Sequence, residues 1–367
     1  MGGVGVPGKV TIYTVTLLST DGTRPIIGGL ERYLRDLALL MKSMGYEVDF
    51  LQNSTSGPWT SDYFGFPVRG VPVTSTGTDI AAFDRLAGDK VLYGWIGQQQ
   101  SYKCPGISIC HGIWWDHPTY SEWITDEIKR VVKPALQQSR FLVSVDTAFI
   151  NWCRATIPAE VQGKLRYIPN YIDTGRFSPR AKSGDPNAIT ILYPRRIDFT
   201  RGIEVCYRLV PRVLQKYPQV KFKFAVDRNN EHLWQQFVAW VAAQPDRARI
   251  DYRTYSFDEI SAAYWESDIV ICPSQMSEGT SLSCLEGMST GKAVLATVVG
   301  GLTDLILDRY NGRLTNTDDE SIFAALCELI EDGALRRQLG ETAALTAKAF
   351  AKERWERQWA ELIAQVY

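Results

Sequence analysis

The stretch that decides the fold runs from residue 269 to residue 301: IVICPSQMSEGTSLSCLEGMSTGKAVLATVVGG. Its first four residues are apolar without alternation, which reads as a strand buried on both faces, as in a parallel sheet. Pro273-Ser274 and then Glu278-Gly279 break the run with a turn. Residues 282–290 read as a helix and 293–298 as the next buried strand. A strand, a helix and a second strand in that order argue for a parallel sheet covered by helices. Ligands bind such sheets at the carboxyl ends of the strands, and there lie Glu278, Gly279, Thr280, Ser281 and Leu282. A carboxylate, two small hydroxyl residues and the N–H groups of a helix start suit a polyol beside a phosphate. Glu286 follows Glu278 by eight residues, about two helical turns, a spacing that would turn both toward one side.

The same alternation extends outward along most of the chain. Strands are expected at 9–15, 46–51, 91–96, 107–110 and 141–145, with a helix at 29–44 whose apolar residues Leu30, Tyr33, Leu34, Leu37, Ala38 and Met41 share a face. Residues 171–188, rich in Gly, Pro and charge, read as a linker. Beyond it strands are expected at 189–193, 220–226, 249–252, 269–272 and 293–298, separated by helices near 203–216, 257–265, 282–290 and 320–331. The pattern predicts an α/β protein of two Rossmann-like doubly wound domains, 1–175 and 185–345, with a cleft between them. Helices at 334–351 and 353–367 follow. The last segment, 346–367, is a C-terminal helix that packs through Trp355 and Trp359 or returns to brace the first domain.

Composition narrows the function. The 367 residues are 45% hydrophobic and 22% charged, which excludes a disordered chain. Forty basic residues against 41 acidic ones leave a formal charge of −1, so nothing draws the protein generally to nucleic acid. No apolar run approaches the ~20 residues of a membrane helix. The N-terminal apolar run lacks a basic lead and reads as a strand rather than a signal peptide, and Val6 stands where myristoylation needs Ser or Thr. Seven scattered cysteines without a C-x-x-C pair predict reduced thiols and a cytoplasmic protein. Arg24, Arg32, Arg35 and Lys42, interleaved with Asp36, read as a solvated face, with weak peripheral contact at the inner face of a membrane left open.

Three further places carry chemistry. In YPRRIDFTRG, residues 193–202, Arg196 and Arg201 flank a turn into a helix. Two cations near a helix N-terminus can neutralise a diphosphate as it leaves. Gly28-Gly29, between strand and helix, lets backbone approach a ligand closely. His111 follows the strand at 107–110 and is one of only three histidines. A zinc cluster of His111 and His117 with Cys104 and Cys110 fits no usual spacing, so no metal is expected. Trp59, Tyr63, Trp114 and Trp115 serve equally well as sugar platforms or as core.

Together these residues resemble the family-4 retaining glycosyltransferases of the GT-B fold. Glu278 and Glu286 match the family's E-x7-E element, with Pro273-Ser274 before it, Leu285-Glu286-Gly287-Met288 within it, and Gly291-Lys292-Ala293-Val294 and Gly300-Gly301-Leu302 after it. Residues 193–202 resemble G-R-x4-K-G, with Arg195 for Gly and Arg201 for Lys. Residues 167–177 resemble the interdomain P-N-G segment, with Tyr171 for Gly. Thr280-Ser281 departs from the family's usual aromatic residue and Gly.

The resemblance implies that Glu278 contacts the donor sugar, Glu286 the ribose, and Arg196 and Arg201 the diphosphate. Gly28 and Gly29 would lie against donor phosphates or acceptor, His111 near the transferred sugar, and Arg253 and Tyr255 at the base. The implied reaction is hexosyl transfer with retention, from a nucleotide-diphosphate sugar to a carbohydrate or lipid-linked glycan acceptor, in bacterial cell-surface polysaccharide assembly. It implies no cofactor; the absence of an Asp-x-Asp pair argues separately against a divalent metal on the diphosphate. The alternatives are a nucleotide-sugar 2-epimerase on a similar scaffold and a catalytically silent binding subunit.

Overall fold

Strands whose side chains are apolar on both faces need helices above and below, and the computed structural model shows two units built that way. It describes residues 8–75, 77–97, 101–115, 128–182 and 188–367. The first unit takes the described residues up to Gly112, those from 128 to Pro169, and Trp355–Tyr367; the second takes Asn170–Arg354 with the short piece from Ile113 to Trp115. Besides that short piece, which begins at 112/113, the chain changes unit at 169/170 and at 354/355, where the expected limits were 175, 185 and 345.

In the first unit the strands are β1 (Lys9–Thr14), β2 (Glu47–Ser54), β3 (Thr60–Tyr63), β4 (Phe66–Thr74), β5 (Gly77–Thr78), β6 (Val91–Tyr93), β7 (Ile107–Cys110), β8 (Phe141–Ser144) and β9 (Leu165–Tyr167). They lie in the order β3-β4-β2-β1-β6-β7-β8-β9, with β5 on β4. All pairs are parallel except β3–β4 and β4–β5. The antiparallel ribbon escaped the sequence pattern because Pro67, Gly70 and Pro72 interrupt β4.

The C-terminal helix Lys352–Val366 contributes its last turns to this unit's core. Trp359 is fully buried and its Nε1 donates to the Tyr33 hydroxyl at 2.8 Å. The Tyr367 hydroxyl donates to the Val91 carbonyl at 2.7 Å and accepts the Ile107 N–H at 3.1 Å, stitching β6 to β7. Tyr63 is core. Trp59 is wedged between Gly22 and Gly70, where an added Cβ would come within 2.6 Å of the indole. Both therefore pack the fold. Trp114 and Trp115 are half-buried and meet edge to face at 4.7 Å. The expected basic face is not continuous, since Arg32 is buried and Arg35 pairs with Asp36 at 3.2 Å.

In the second unit β10 (Ile189–Tyr193), β11 (Val220–Ala225), β12 (Ile250–Arg253), β13 (Ile269–Cys272), β14 (Ala293–Thr297) and β15 (Arg313–Thr315) form a wholly parallel sheet. Its order is β12-β11-β10-β13-β14-β15. All four β13 residues are fully buried, each apolar side chain contributing about 1.5–3 kcal/mol. The chain builds outward from β10 to β11 on one side and returns to β13 on the other. That reversal opens a crevice at the carboxyl ends of β10 and β13. The seven cysteines are unpaired, and among the described residues no helix is long and apolar enough to cross a membrane.

Candidate functional site

Two loops meet at the crevice of the second unit, one after β10 and one after β13. Tyr193 ends β10 fully buried, and its hydroxyl donates to the carbonyls of Arg196 and Arg201 at 3.0 and 3.1 Å, curling residues 194–201 back on themselves. The turn ends at Gly202, whose φ of 80° favours glycine and which precedes the helix Ile203–Lys216. A Cβ at Gly202 would lie 1.9 Å from the Pro273 carbonyl oxygen, so only glycine allows the two loops to touch. The Gln275 N–H donates to the Thr200 carbonyl at 2.9 Å across the same seam.

The loop after β13 carries Glu278. Ser277 before it holds a φ of 54°, a conformation that costs a non-glycine residue about 1–3 kcal/mol. Gly300 and Gly301 back the loop. A Cβ at Gly300 would come 2.0 Å from the Glu278 carbonyl oxygen, and the Gly301 N–H donates to that oxygen at 2.9 Å. The glycine pair after β14 thus lets one backbone lie against another.

Glu278 is buried, and three donors converge on its Oε2: the guanidinium of Arg195, Arg201 Nη1 at 2.8 Å and the Ser274 hydroxyl at 2.7 Å. Burial pushes this carboxyl up, but Arg195 and Arg201 together with Ser274 outweigh it and hold it below the ordinary carboxylate value. Arg195 is held above its ordinary value because Glu278 overcomes the cost of its burial. For Arg201 burial prevails and the shift is downward. One carboxylate thus faces two guanidinia. Among the described residues no donor reaches Oε1 of Glu278.

Arg195 is a residue that sequence reading passed over. The tandem Arg195-Arg196 lies past the end of β10, in the curled loop, and only one of the two turns inward. That one is Arg195; Arg196 is exposed and makes no ion pair among the described residues. The signal lay in the tandem itself. Ser274, Tyr264 and Asn170 were also passed over. The Asn170 N–H donates to Thr280 Oγ1 at 2.8 Å and its side-chain amide to the Thr280 carbonyl, fixing the loop.

The helix that follows spans Leu282–Ser289, capped by Ser281, whose Oγ accepts the Cys284 N–H at 3.4 Å. Glu278 therefore precedes the helix, and helical spacing does not relate it to Glu286. Glu278 is instead tied to the loop after β10 by Arg195 and Arg201, and so is the helix start: Arg195 donates to Ser281 Oγ at 3.0 Å and Ser283 Oγ donates to the Pro194 carbonyl at 2.8 Å. Glu286 lies inside the helix, buried, and its Oε2 accepts the Tyr264 hydroxyl at 2.7 Å. Gly279 and Thr280 are buried and Leu282 half-buried. Arg253 is exposed, pairs with Glu259 at 2.7 Å and lies over the Tyr255 ring.

In the first unit Gly28 caps the helix Gly29–Ser43 with extended backbone and no side chain. His111 sits just past β7, its Nε2 3.0 Å from the Gly94 carbonyl and its ring edge-on to Tyr33 at 5.0 Å. A carbonyl only accepts, so the neutral ring carries its proton on Nε2. Burial lowers its pKa to about 4 against the opposing pull of that hydrogen bond. His117 lies outside the described residues. Among the described residues no three His, Cys, Asp or Glu side chains converge as metal ligands would.

Residues 188–332 match the family Glycosyl transferases group 1. A sulfoquinovosyl transferase of Arabidopsis thaliana is 27% identical over 241 residues, 62% of this chain and 45% of that one. The chain spans less than half the length of curated relatives at this level of identity. Sucrose-phosphate synthase from Thermosynechococcus elongatus superposes with a TM-score of 0.73 at 17% identity, over 98% of each chain. HepE of Anabaena, solved with UDP-glucose, gives 0.72 at 16% identity over 98% of this chain and all of that one. The GT-B-like fold read from the sequence is borne out, and the family match falls on the second unit.

Proposed function

Because the chain carries a group 1 glycosyltransferase domain over residues 188–332 within a GT-B-like fold, we propose that it transfers a hexose, with retention, from a nucleotide-diphosphate sugar to a carbohydrate or lipid-linked glycan. The observation that carries this reading is the buried Glu278. All its protein donors fall on one oxygen, and Oε1 stays open beside two guanidinia and a helix start. A sugar hydroxyl donates to Oε1, and the diphosphate takes the positive charge of Arg201 and Arg196. Glu286, held by Tyr264, accepts from the ribose. The bond from the anomeric carbon to the diphosphate oxygen breaks as the acceptor oxygen bonds to that carbon, and the departing phosphate takes the acceptor's proton. His111, neutral at pH 7, is assigned a hydrogen-bonding role toward the sugar. HepE's complex with UDP-glucose supports a uridine donor, and assembly of a bacterial surface polysaccharide is the setting the resemblance favours.

The test is a thermal-shift series with UDP, GDP, ADP and their sugars, followed by transfer assays with and without chelator. A ligand at a hundred times its Kd adds about 2.7 kcal/mol to native stability, a readily measured rise in Tm. Transfer that persists in EDTA is expected, since arginines stand where a metal would otherwise hold the diphosphate. No shift with any nucleoside diphosphate, together with no transfer, would sink the proposal.

A further inference from the structure

Two departures from the family pattern touch each other. Arg195 stands for Gly, Ser281 stands for Gly, and Arg195 Nη1 donates to Ser281 Oγ at 3.0 Å while its other arm meets Glu278. We propose that Arg195 is a positioning residue, which clamps Glu278 to the cap of the helix Leu282–Ser289 so that Oε1 alone is presented to the donor sugar. The clamp rests on the functional reading above for the identity of its substrate, and on geometry for the rest.

Arg195 is the most enclosed of the cations here, with 4% of its side chain exposed against 20% for Arg201. A guanidinium forks in one plane and so reaches two acceptors at a fixed angle, which an ammonium cannot do. One fork holds the carboxylate and the other the hydroxyl that caps the helix, so neither shifts without the other. Arg201 is set independently, since the nitrogen that meets Glu278 also donates to the Ser277 carbonyl at 2.8 Å. With both guanidinia and Ser274 on Oε2, the second oxygen is the one that can select a substrate hydroxyl.

The groups facing Glu278 are Arg195 and Arg201 from the loop after β10, Ser274 and Cys272 from the end of β13 and its loop, and Cys284 from the helix. Remove Arg195, and a single guanidinium opposes burial. The carboxyl then titrates higher.

The experiment follows kcat and KM against pH for R195G, R195K and S281A. In R195G the acidic limb of the rate profile should move up by about one pH unit or more, a tenfold change in the acid constant, with kcat falling far more than UDP affinity. R195K keeps the charge and should keep the limb, but lose kcat because one ammonium cannot hold both partners. S281A should lower kcat without moving the limb. A merely structural Arg195 predicts a uniform loss of rate in R195G with the limb unmoved, and that result overturns the clamp, as would wild-type kcat in R195K and S281A should R195G fail to fold. A second measurement needs no substrate: the urea midpoint of the chain against that of E278Q from pH 3 to 7, with and without R195G. A Glu278 titration there, in a protein that transfers no sugar, supports the clamp and overturns only the proposed reaction. No titration difference overturns the clamp whatever the activity.

Discussion

The pocket around Glu278 is held by charge, whereas the surroundings of His111 are held by rings. In the second unit a carboxylate is taken out of water and repaid by two guanidinia and a hydroxyl on a single oxygen. In the first, His111 rests against Tyr33, which in turn packs on Trp355 and Trp359 from the end of the chain. The two designs respond differently to perturbation. A buried ion pair that loses one partner leaves an uncompensated charge, while an aromatic cluster that loses one ring leaves a void. Charge also makes the first pocket respond to protonation near its carboxylate, and the second only to protonation of the imidazole.

The largest effect expected of that difference is at Glu278. E278Q leaves Arg195 and Arg201 buried against each other, and breaking such a pair costs about 3–5 kcal/mol of stability. It also removes the contact proposed to tighten in the transition state, on the order of 2–4 kcal/mol in turnover. E286Q, whose native carboxylate accepts the Tyr264 hydroxyl, should leave stability closer to wild type, since an amide oxygen still accepts from a phenol, and weaken nucleotide binding instead. Urea unfolding, kcat and a calorimetric UDP titration separate the two variants. Equal Kd and equal rate in both would dissolve the division of roles.

The arginines come next. Arg201 belongs to the ion pair and Arg196 does not, so the two should part company. R201A is expected to lower both stability and kcat/KM, the latter on the order of a hundredfold or more, consistent with losing a few kcal/mol of oriented charge. R201K should be milder, since charge survives. R196A should lower kcat/KM by a similar factor with no change in urea midpoint, because its side chain is exposed. Wild-type kinetics in R196A and R201A alike would remove the diphosphate site and most of the proposed mechanism.

What could be read in advance divides along the same line. That Glu278 and Arg201 lie in loops at the carboxyl ends of buried strands was legible, because charges are rare there and their order along the chain is informative. Arg195 was not, because sequence names a tandem of arginines without saying which one faces in, and the loop that turns Arg195 inward lies past the end of β10, where no strand alternation applies. The helical spacing expected between Glu278 and Glu286 does not apply, as the helix begins at Leu282 and not before. In the first unit the ribbon of β3 and β4 was hidden by its prolines. The C-terminal clasp through Trp359 and Tyr367 joins residues 260 or more positions apart, a pairing that no local pattern encodes.

The smallest effect, and the sharpest contrast with Glu278, concerns His111. Its pKa in the folded protein is about 4, against about 6.5 for an unperturbed imidazole. As pH falls below about 6.5 the unfolded chain takes up a proton that the folded one refuses until about 4, so stability should fall across that window and level off beneath it. Each tenfold difference in acid constant between the folded and unfolded chain is worth at most about 1.4 kcal/mol, less for a ring that is partly exposed. Replacing His111 with Gln keeps a donor for the Gly94 carbonyl and removes the titration. Urea midpoints measured at pH 7, 5.5 and 4.5 should therefore converge in H111Q relative to wild type, with carboxylate titrations cancelling between the two proteins. The rate profile should show no break near pH 6.5 in either. Such a break in wild type, lost in H111Q, would mean that the imidazole acts as a cation after all, and that the ring-built site uses charge as the other one does.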